Sequence, residues 1–283
     1  MTKKTIFITG ASSGIGLASA LRLSSDGFHV IAGVLPGEDI TPLSNHASIS
    51  TIPIDITKAD MVLKATESIK QAVSDAGLYG LFNNAGIAIS GPIEAVPIEA
   101  LRQQLEVNLI GHIRVTQHLL PLIRPARGRI VNTVSILGRV AVPFSGPYSI
   151  SKFAMEAFTD ILRMELKQFG VLVCAIEPGT IATPLWQKTL EHTDALASEL
   201  SPYLNELYSA GFESFADTVK NQQGRGISPD EVAQKVSHAF TAARPRTRYV
   251  IGGDAQTVSL LRQILPDRVL DWALNRLYPI TKR

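Results

Sequence analysis

The chain has 283 residues, with 27 Lys and Arg against 25 Asp and Glu, so its formal net charge is only +2 and both signs are scattered along it. That balance argues against nucleic acid or another acidic polymer as partner, and a single cysteine, Cys174, excludes an intramolecular disulfide. No apolar run approaches the roughly 20 residues that a membrane-spanning helix needs, and the length suits one α/β domain with a large core.

The first predicted strand, Lys4-Thr5-Ile6-Phe7-Ile8, starts almost at the N-terminus, which leaves no room for a secretory or transit segment and sets the expectation of a cytoplasmic protein. It passes directly into Thr9-Gly10-Ala11-Ser12-Ser13-Gly14-Ile15-Gly16, and a helix is predicted over 14–25. A helix N-terminus behind a glycine turn presents unpaired N–H groups and the positive end of a dipole, which suits a pyrophosphate. Gly10 would allow the tight turn, Gly14 the approach of backbone to phosphate, and Gly16 close packing of helix on strand.

Strands at 28–34 and 49–54, a helix at 59–73, a strand at 78–82 and a long helix at 98–122 follow. Next come a strand at 129–134, a helix at 147–169 and a strand at 171–176. Such alternation predicts a single domain over 1–283, a Rossmann-type doubly wound parallel sheet of about seven strands with helices on both faces. Ligand should bind at the carboxyl ends of the strands, where Thr9, Asp55, Asn84 and Ser135 stand. Asp55 has a second reading, as a cap of the helix beginning near 59.

Cys174 lies in Val171-Leu172-Val173-Cys174-Ala175-Ile176 and reads as a buried small hydrophobe. His29, His46, His112, His118, His192 and His238 show no metal-ligand pairing, so no metal is expected. Arg244, Arg246 and Arg248 are the nearest thing to a basic patch and are expected to flank an exposed strand.

The segment Tyr148-Ser149-Ile150-Ser151-Lys152 places a phenol and an ammonium four residues apart, on one helix face. The lysine charge should favour the phenolate and draw the tyrosine pKa down from its reference of about 10. Upstream, Ser135 closes an apolar run and could hydrogen-bond a substrate oxygen.

The Gly-x-x-x-Gly-x-Gly spacing, Asp55-Ile56, Asn83-Asn84-Ala85-Gly86, Asn108, Ser135, Tyr148 with Lys152, and Pro178-Gly179-Thr180-Ile181-Ala182-Thr183 occupy about two-thirds of the chain, roughly 4–184. In this order and spacing the chain resembles the short-chain dehydrogenase/reductase family. The resemblance implies that Tyr148 is the general acid/base, that Lys152 lowers its pKa and binds the nicotinamide ribose, and that Ser135 holds the substrate oxygen. It assigns Asn108 to a water-linked proton path. The glycine loop, with Ser12, Ser13 and Ile15, would hold the pyrophosphate. Asp55 and Ile56 would lie at the adenine, Asn84, Ala85 and Gly86 near the adenosine ribose, and Pro178, Gly179, Ile181 and Thr183 at the carboxamide.

The end of the second strand, Val34, offers neither the acid expected for NAD nor the base expected for NADP. Glu38 and Asp39 follow in a Pro36-Gly37 turn and would repel a phosphate, which leans the expectation toward NAD. Within the family the chain looks like the retinol, steroid and 3-hydroxybutyrate dehydrogenase branch, which implies a lipophilic secondary or allylic alcohol and its carbonyl. A homo-oligomer through the helices near 98 and 147 is expected on the same ground. Residues 184–226, with Trp186, Tyr203, Tyr208, Phe212 and Phe215, read as a helical substrate lid. Residues 256–283 read as two amphipathic helices split at Pro266, covering the cleft or a subunit interface, or docking peripherally on a membrane. A dinucleotide-sensing binding protein is the alternative from another class, disfavoured because a sensor needs no acid/base. An enoyl reductase is a further one, disfavoured because it would show a wider tyrosine-to-lysine spacing.

Overall fold

The computed structural model describes residues 3–223 and 226–277. In chain order these form β1 (Thr5–Thr9), α1 (Gly14–Ser25), β2 (His29–Val34), α2 (Thr41–Ser44), β3 (Ile49–Pro53), α3 (Ala59–Val73), β4 (Gly80–Asn83) and α4 (Ile98–Leu105). A π turn, Glu106–Ile110, joins α4 to α5 (Gly111–Ile123). Then come β5 (Arg129–Thr133), α6 (Gly146–Leu166), β6 (Leu172–Pro178), α7 (Leu185–Ser198) and α8 (Pro202–Gln223). The last elements are α9 (Pro229–Thr241), β7 (Arg248–Ile251), α10 (Gly253–Ile264) and α11 (Asp267–Leu277).

All seven strands are parallel, in the order β3-β2-β1-β4-β5-β6-β7. The chain winds outward in one direction from β1 and in the other from β4, so a crevice opens between the carboxyl ends of these two strands. Side chains alternate across the sheet: Ile6 and Ile8 pack with Leu23 of α1 and Val232, Val236 and Phe240 of α9. Phe7 packs on the other face with Val62 and Ile69 of α3, Val115 and Leu119 of α5 and Leu162 of α6. Covering on both faces explains why β1 is buried at every position.

The helix expected over 98–122 is one continuous run, but the π turn interrupts its middle and carries Asn108. The strand expected at 171–176 runs on to Pro178, paired with β7, which together with α2 and α9 no periodicity had marked. Arg248 does lie on an edge strand, where it is held by carboxylates. The 184–226 segment is helical, in α7 and α8, with 224–225 outside the described residues. Pro266 separates α10 from α11, and 278–283 lie outside the described residues. Among the described residues no helix is long and apolar enough to cross a membrane.

Candidate active site

The amides at the start of α1 have no side-chain cap, since Ser13 is extended and makes no capping hydrogen bond. Gly10 turns the chain with φ at 65° while its Cα sits against Ala85, so close that a Cβ there would lie 2.7 Å from the Ala85 Cα. A Cβ at Gly16 would collide with the Gly10 carbonyl, which keeps α1 tight on β1. The neighbouring strand is locked to this turn by Asn84, whose Nδ2 donates to the carbonyls of Thr9 at 3.1 Å and Gly10 at 3.0 Å. The backbone amides of Asn84 and Ala85 both donate to Thr9 Oγ1, at 2.9 and 3.1 Å.

These groups open onto a cavity of about 710 Å³ at the carboxyl edge of the sheet. It is lined by Gly10, Ser12, Ser13, Gly14 and Ile15 at one end, by Asp55, Ile56, Asn84, Ala85 and Gly86 along one wall, and by Ser135, Tyr148, Lys152, Pro178, Gly179, Ile181 and Thr183. Of the expected site residues only Gly16 and Asn108 stand outside it. Gly16 packs behind the turn, and Asn108 is fully buried in the π turn, bonded to Ile87 and Ser151. Asp55 does not cap α3, whose N-cap is Lys58; its Oδ1 accepts from the amide and hydroxyl of Thr57, which fixes the carboxylate at the cavity edge.

Ser135 Oγ accepts from the Leu137 amide at 3.1 Å, and Ser135 and Tyr148 line the same cavity. Lys152 Nζ donates to the Thr133 carbonyl at 2.9 Å and stands 5.5 Å from the centre of the Tyr148 ring. The expected depression of the tyrosine pKa is not what this site has. Burial pushes the Tyr148 phenol up to about 12, with the Ser135 hydroxyl opposing, and pushes the Lys152 ammonium down to about 8. Four-residue spacing brings the two groups together, but desolvation disfavours the charged form of each and outweighs their attraction. The resting pair therefore has a neutral phenol, the form that donates a proton.

Other contributors lay beyond the sequence motifs. Asp254, at the start of α10, accepts from the Thr180 amide at 2.9 Å and so ties down the loop after β6. Beneath the site, Asn83 Nδ2 donates to Thr116 Oγ1 at 3.0 Å and to Asn132 Oδ1 at 2.9 Å, while Asn132 donates to Thr159 Oγ1 at 2.9 Å. The rest of the cavity lining is mostly apolar, with Val140, Val142, Leu185, Trp186, Phe215, Val258 and Leu274, beside the polar Lys188, Thr189, His192 and Thr218. Trp186 and Phe215 are two of the five aromatics expected there. Phe212 instead packs edge-on to Phe144, Tyr203 is exposed, and the Tyr208 hydroxyl donates to Glu94 at 2.7 Å. Val258 and Leu274 bring α10 and α11 over the cleft. Cys174 is buried, which pushes its thiol up to about 11. Among the described residues no three His, Cys, Asp or Glu side chains are grouped to hold a metal ion.

Comparison with known proteins points to one family. Residues 4–194 match the family model for short chain dehydrogenase. The 17-beta-hydroxysteroid dehydrogenase type 6 of Bos taurus is 42 % identical, over 98 % of this chain and 89 % of its own. Retinol dehydrogenase 16 of Mus musculus is 39 % identical, over 95 % and 86 %. A 3-amino-tetrahydro-pyrrolizinone reductase of Xenorhabdus hominickii is 37 % identical, over 96 % and 94 %. A crystal structure of a short chain dehydrogenase from Burkholderia cenocepacia in complex with NADP is similar with a TM-score of 0.72 at 26 % identity, covering 97 % of each chain. With the glycine turn at a helix start, a serine, tyrosine and lysine meeting in one cavity, and a family match across two-thirds of its length, the chain belongs to the short-chain dehydrogenase family of NAD(P)-dependent oxidoreductases.

Proposed function

We propose that the protein transfers a hydride between NAD(P) and a lipophilic secondary or allylic alcohol or its ketone, of retinoid, steroid or similar skeleton. The observation that carries this is the meeting of Ser135, Tyr148 and Lys152 in one cavity with the uncapped start of α1 at one end and an apolar wall at the other. The uncapped amides and the close backbone approach at Gly10 fit a pyrophosphate. Bound there, the coenzyme supplies the hydride acceptor or donor through its nicotinamide.

Tyr148 gives its proton to the carbonyl oxygen in reduction and takes one from the hydroxyl in oxidation. Ser135, in the same cavity, holds that oxygen, and Lys152 places a positive charge beneath the phenol as it loses its proton. Asn108 supports the path by which the lysine exchanges protons with solvent. Asp55 and Ile56 flank the adenine, and Asn84 to Gly86 the adenosine ribose. Pro178, Gly179, Ile181 and Thr183 meet the carboxamide.

NAD is the preferred coenzyme in this reading. The carboxylate of Glu38 accepts a hydrogen bond from Ser12 of the glycine loop and lines the cavity, where it would repel a ribose phosphate. The helices α7 and α8 act as a substrate lid. Exposed Ile98, Ile150, Phe153 and Ile161 on α4 and α6 support a homo-oligomer through those helices.

The test is nicotinamide absorbance with NAD and NADP in parallel against retinoid, steroid and aliphatic alcohols. Tyr148→Phe should keep coenzyme affinity and lose about 10²–10⁴-fold in kcat. Ser135→Ala should lose about 10²–10³-fold. Equal rates in wild type and both variants would overturn the assignment, and coenzyme binding without turnover on any alcohol would favour a dinucleotide sensor.

A further inference from the structure

The helix that runs through α4, the π turn and α5 carries three buried polar side chains four residues apart, Gln104, Asn108 and His112, each no more than 1 % exposed. All three reach one stretch of backbone. Gln104 Oε1 accepts from the Ile89 amide at 2.7 Å and its Nε2 donates to the Ile87 carbonyl at 2.9 Å. Asn108 Oδ1 accepts from the Ile87 amide at 2.9 Å and its Nδ2 donates to the Ile87 carbonyl at 2.9 Å. His112 Nε2 is 2.7 Å from the Ala85 carbonyl, which can only accept, so this nitrogen carries the proton. Burial holds the imidazole at about 3, far below its ordinary range, so it is neutral.

The row does the work of a neighbouring strand. Backbone polar groups buried beside a cavity must be paired, and the Ala85 carbonyl, the Ile87 amide and carbonyl and the Ile89 amide find their partners on the helix rather than on the sheet. Between them, Gly86, Ala88 and Ser90 line the cavity. An α-helix advances about 400° in four residues, so a row at this spacing drifts by about 40° per step. The wider turn at Glu106–Ile110 falls in the middle of the row and offsets that drift. The two ends of the segment differ in surroundings. Ala85 lies against Gly10 in the glycine turn, whereas Gly91 donates to the Phe144 carbonyl at 2.7 Å and packs under Leu196 of α7.

We propose that Gln104 and His112 are positioning residues that, with Asn108, hold the 85–90 backbone as a wall of the cavity. Gln104 governs the substrate end and His112 the coenzyme end. The kinetic part of this inference rests on the oxidoreductase reading above, and the backbone part does not.

Amide hydrogen exchange and steady-state kinetics on the full chain test it together. Gln104→Leu should speed exchange of the Ile89 amide by about tenfold or more while leaving Ile87, still held by Asn108, slow. The same variant should raise KM for the alcohol by about tenfold with kcat within about threefold and coenzyme KM within about twofold, and His112→Val should raise chiefly the coenzyme KM. Gln104→Glu gives a readout that a structural role would not. When protonated, the new carboxyl accepts from Ile89 and donates to Ile87, and when ionised it loses the donor. Its alcohol KM should therefore match wild type at low pH and climb as pH rises, and this profile decides the matter if Gln104→Leu does not fold.

Unchanged exchange at Ile89 overturns the inference. So does faster exchange with an unchanged alcohol KM in an active enzyme. A wild type that turns over no alcohol defeats the oxidoreductase reading instead, and the exchange result then decides the backbone role by itself.

Discussion

One stripe of α6 carries two clusters of wholly or partly buried ionisable groups that solve the same electrostatic problem in opposite ways. Its first two turns hold Tyr148 and Lys152, and its next two hold Glu156 and Asp160. Lys152 has a backbone carbonyl as hydrogen-bond partner and no paired carboxylate among the described residues. The lower cluster is heavily paired. Arg248 is 2.9 Å from Glu156, 2.7 Å from Asp160 and 3.2 Å from Glu177, while Arg139 Nε is 2.6 Å from Glu177 and Arg163 bonds Asp160. Pairing there ties the turn after Ser135, through Arg139, to β6 and β7.

The difference separates chemistry from architecture. A buried charge without a counter-ion costs stability and is retained where its protonation state is used, whereas a paired one costs most when a partner is removed. Even so, burial and the nearby Glu156 push the Glu177 carboxyl up to about 7 against the pull of Arg139, so the lower cluster is not free of desolvation either.

Three substitutions would break or sharpen this contrast. Arg139→Met removes the nearer of the two guanidinium partners of Glu177, leaving only Arg248 at 3.2 Å, and should destabilise the protein by about 3 kcal/mol. Denaturant melts at pH 8 should show the larger loss, since at pH 5 the carboxyl can protonate and needs no counter-ion. A smaller loss at pH 8 than at pH 5 would refute the pairing argument.

Lys152→Met should move stability the other way while abolishing turnover. The folded-state pKa of Lys152, about 8, is depressed below its unfolded value, so stability is full above the unfolded pKa and is lost as pH falls through 8. Removing the charge should gain about 1–3 kcal/mol below pH 8 and little at pH 10 or above. A destabilised variant at pH 7 would show that Lys152 supports the fold.

The smallest effect belongs to Glu177→Gln. A carboxyl with a raised folded pKa contributes stability that is present below its unfolded value and lost as pH rises through about 7. The variant should therefore gain about 1–2 kcal/mol relative to wild type between pH 4.5 and 8, read as the pH slope of the difference in Tm. A flat difference would mean that Glu177 does not titrate in this range.

Much of this molecule was open to reading from its residues in order. The alternation of apolar runs with amphipathic stretches produced six of the seven strands and the long helices, because runs such as Thr5–Thr9 are buried on both sheet faces and admit no other pattern. β7 escaped because it is a four-residue edge strand, only partly buried and rich in arginine around its start. The glycine turn, Tyr148 and Lys152 were legible because backbone approach and helix spacing demand particular residue types at fixed separations, and Asn84 and Ser135 because they stand at strand ends and match the family's motifs. Gln104 was invisible for the opposite reason: a polar residue in a helix looks solvated until the loop that it serves is folded against it.

What the sequence determined by itself is therefore the order of layers and the residues that meet at the sheet's carboxyl edge, since both follow from local periodicity and from strand ends. Tertiary structure decided the quantities that depend on exclusion of water. It brought Val258 and Leu274 from the far end of the chain to line the cavity, brought Asp254 to Thr180, and desolvated Tyr148 so that its phenol rises to about 12 where spacing alone had pointed downward. Desolvation is a property of everything packed around a group, contributed by residues distant in sequence, and no four-residue motif carries that information.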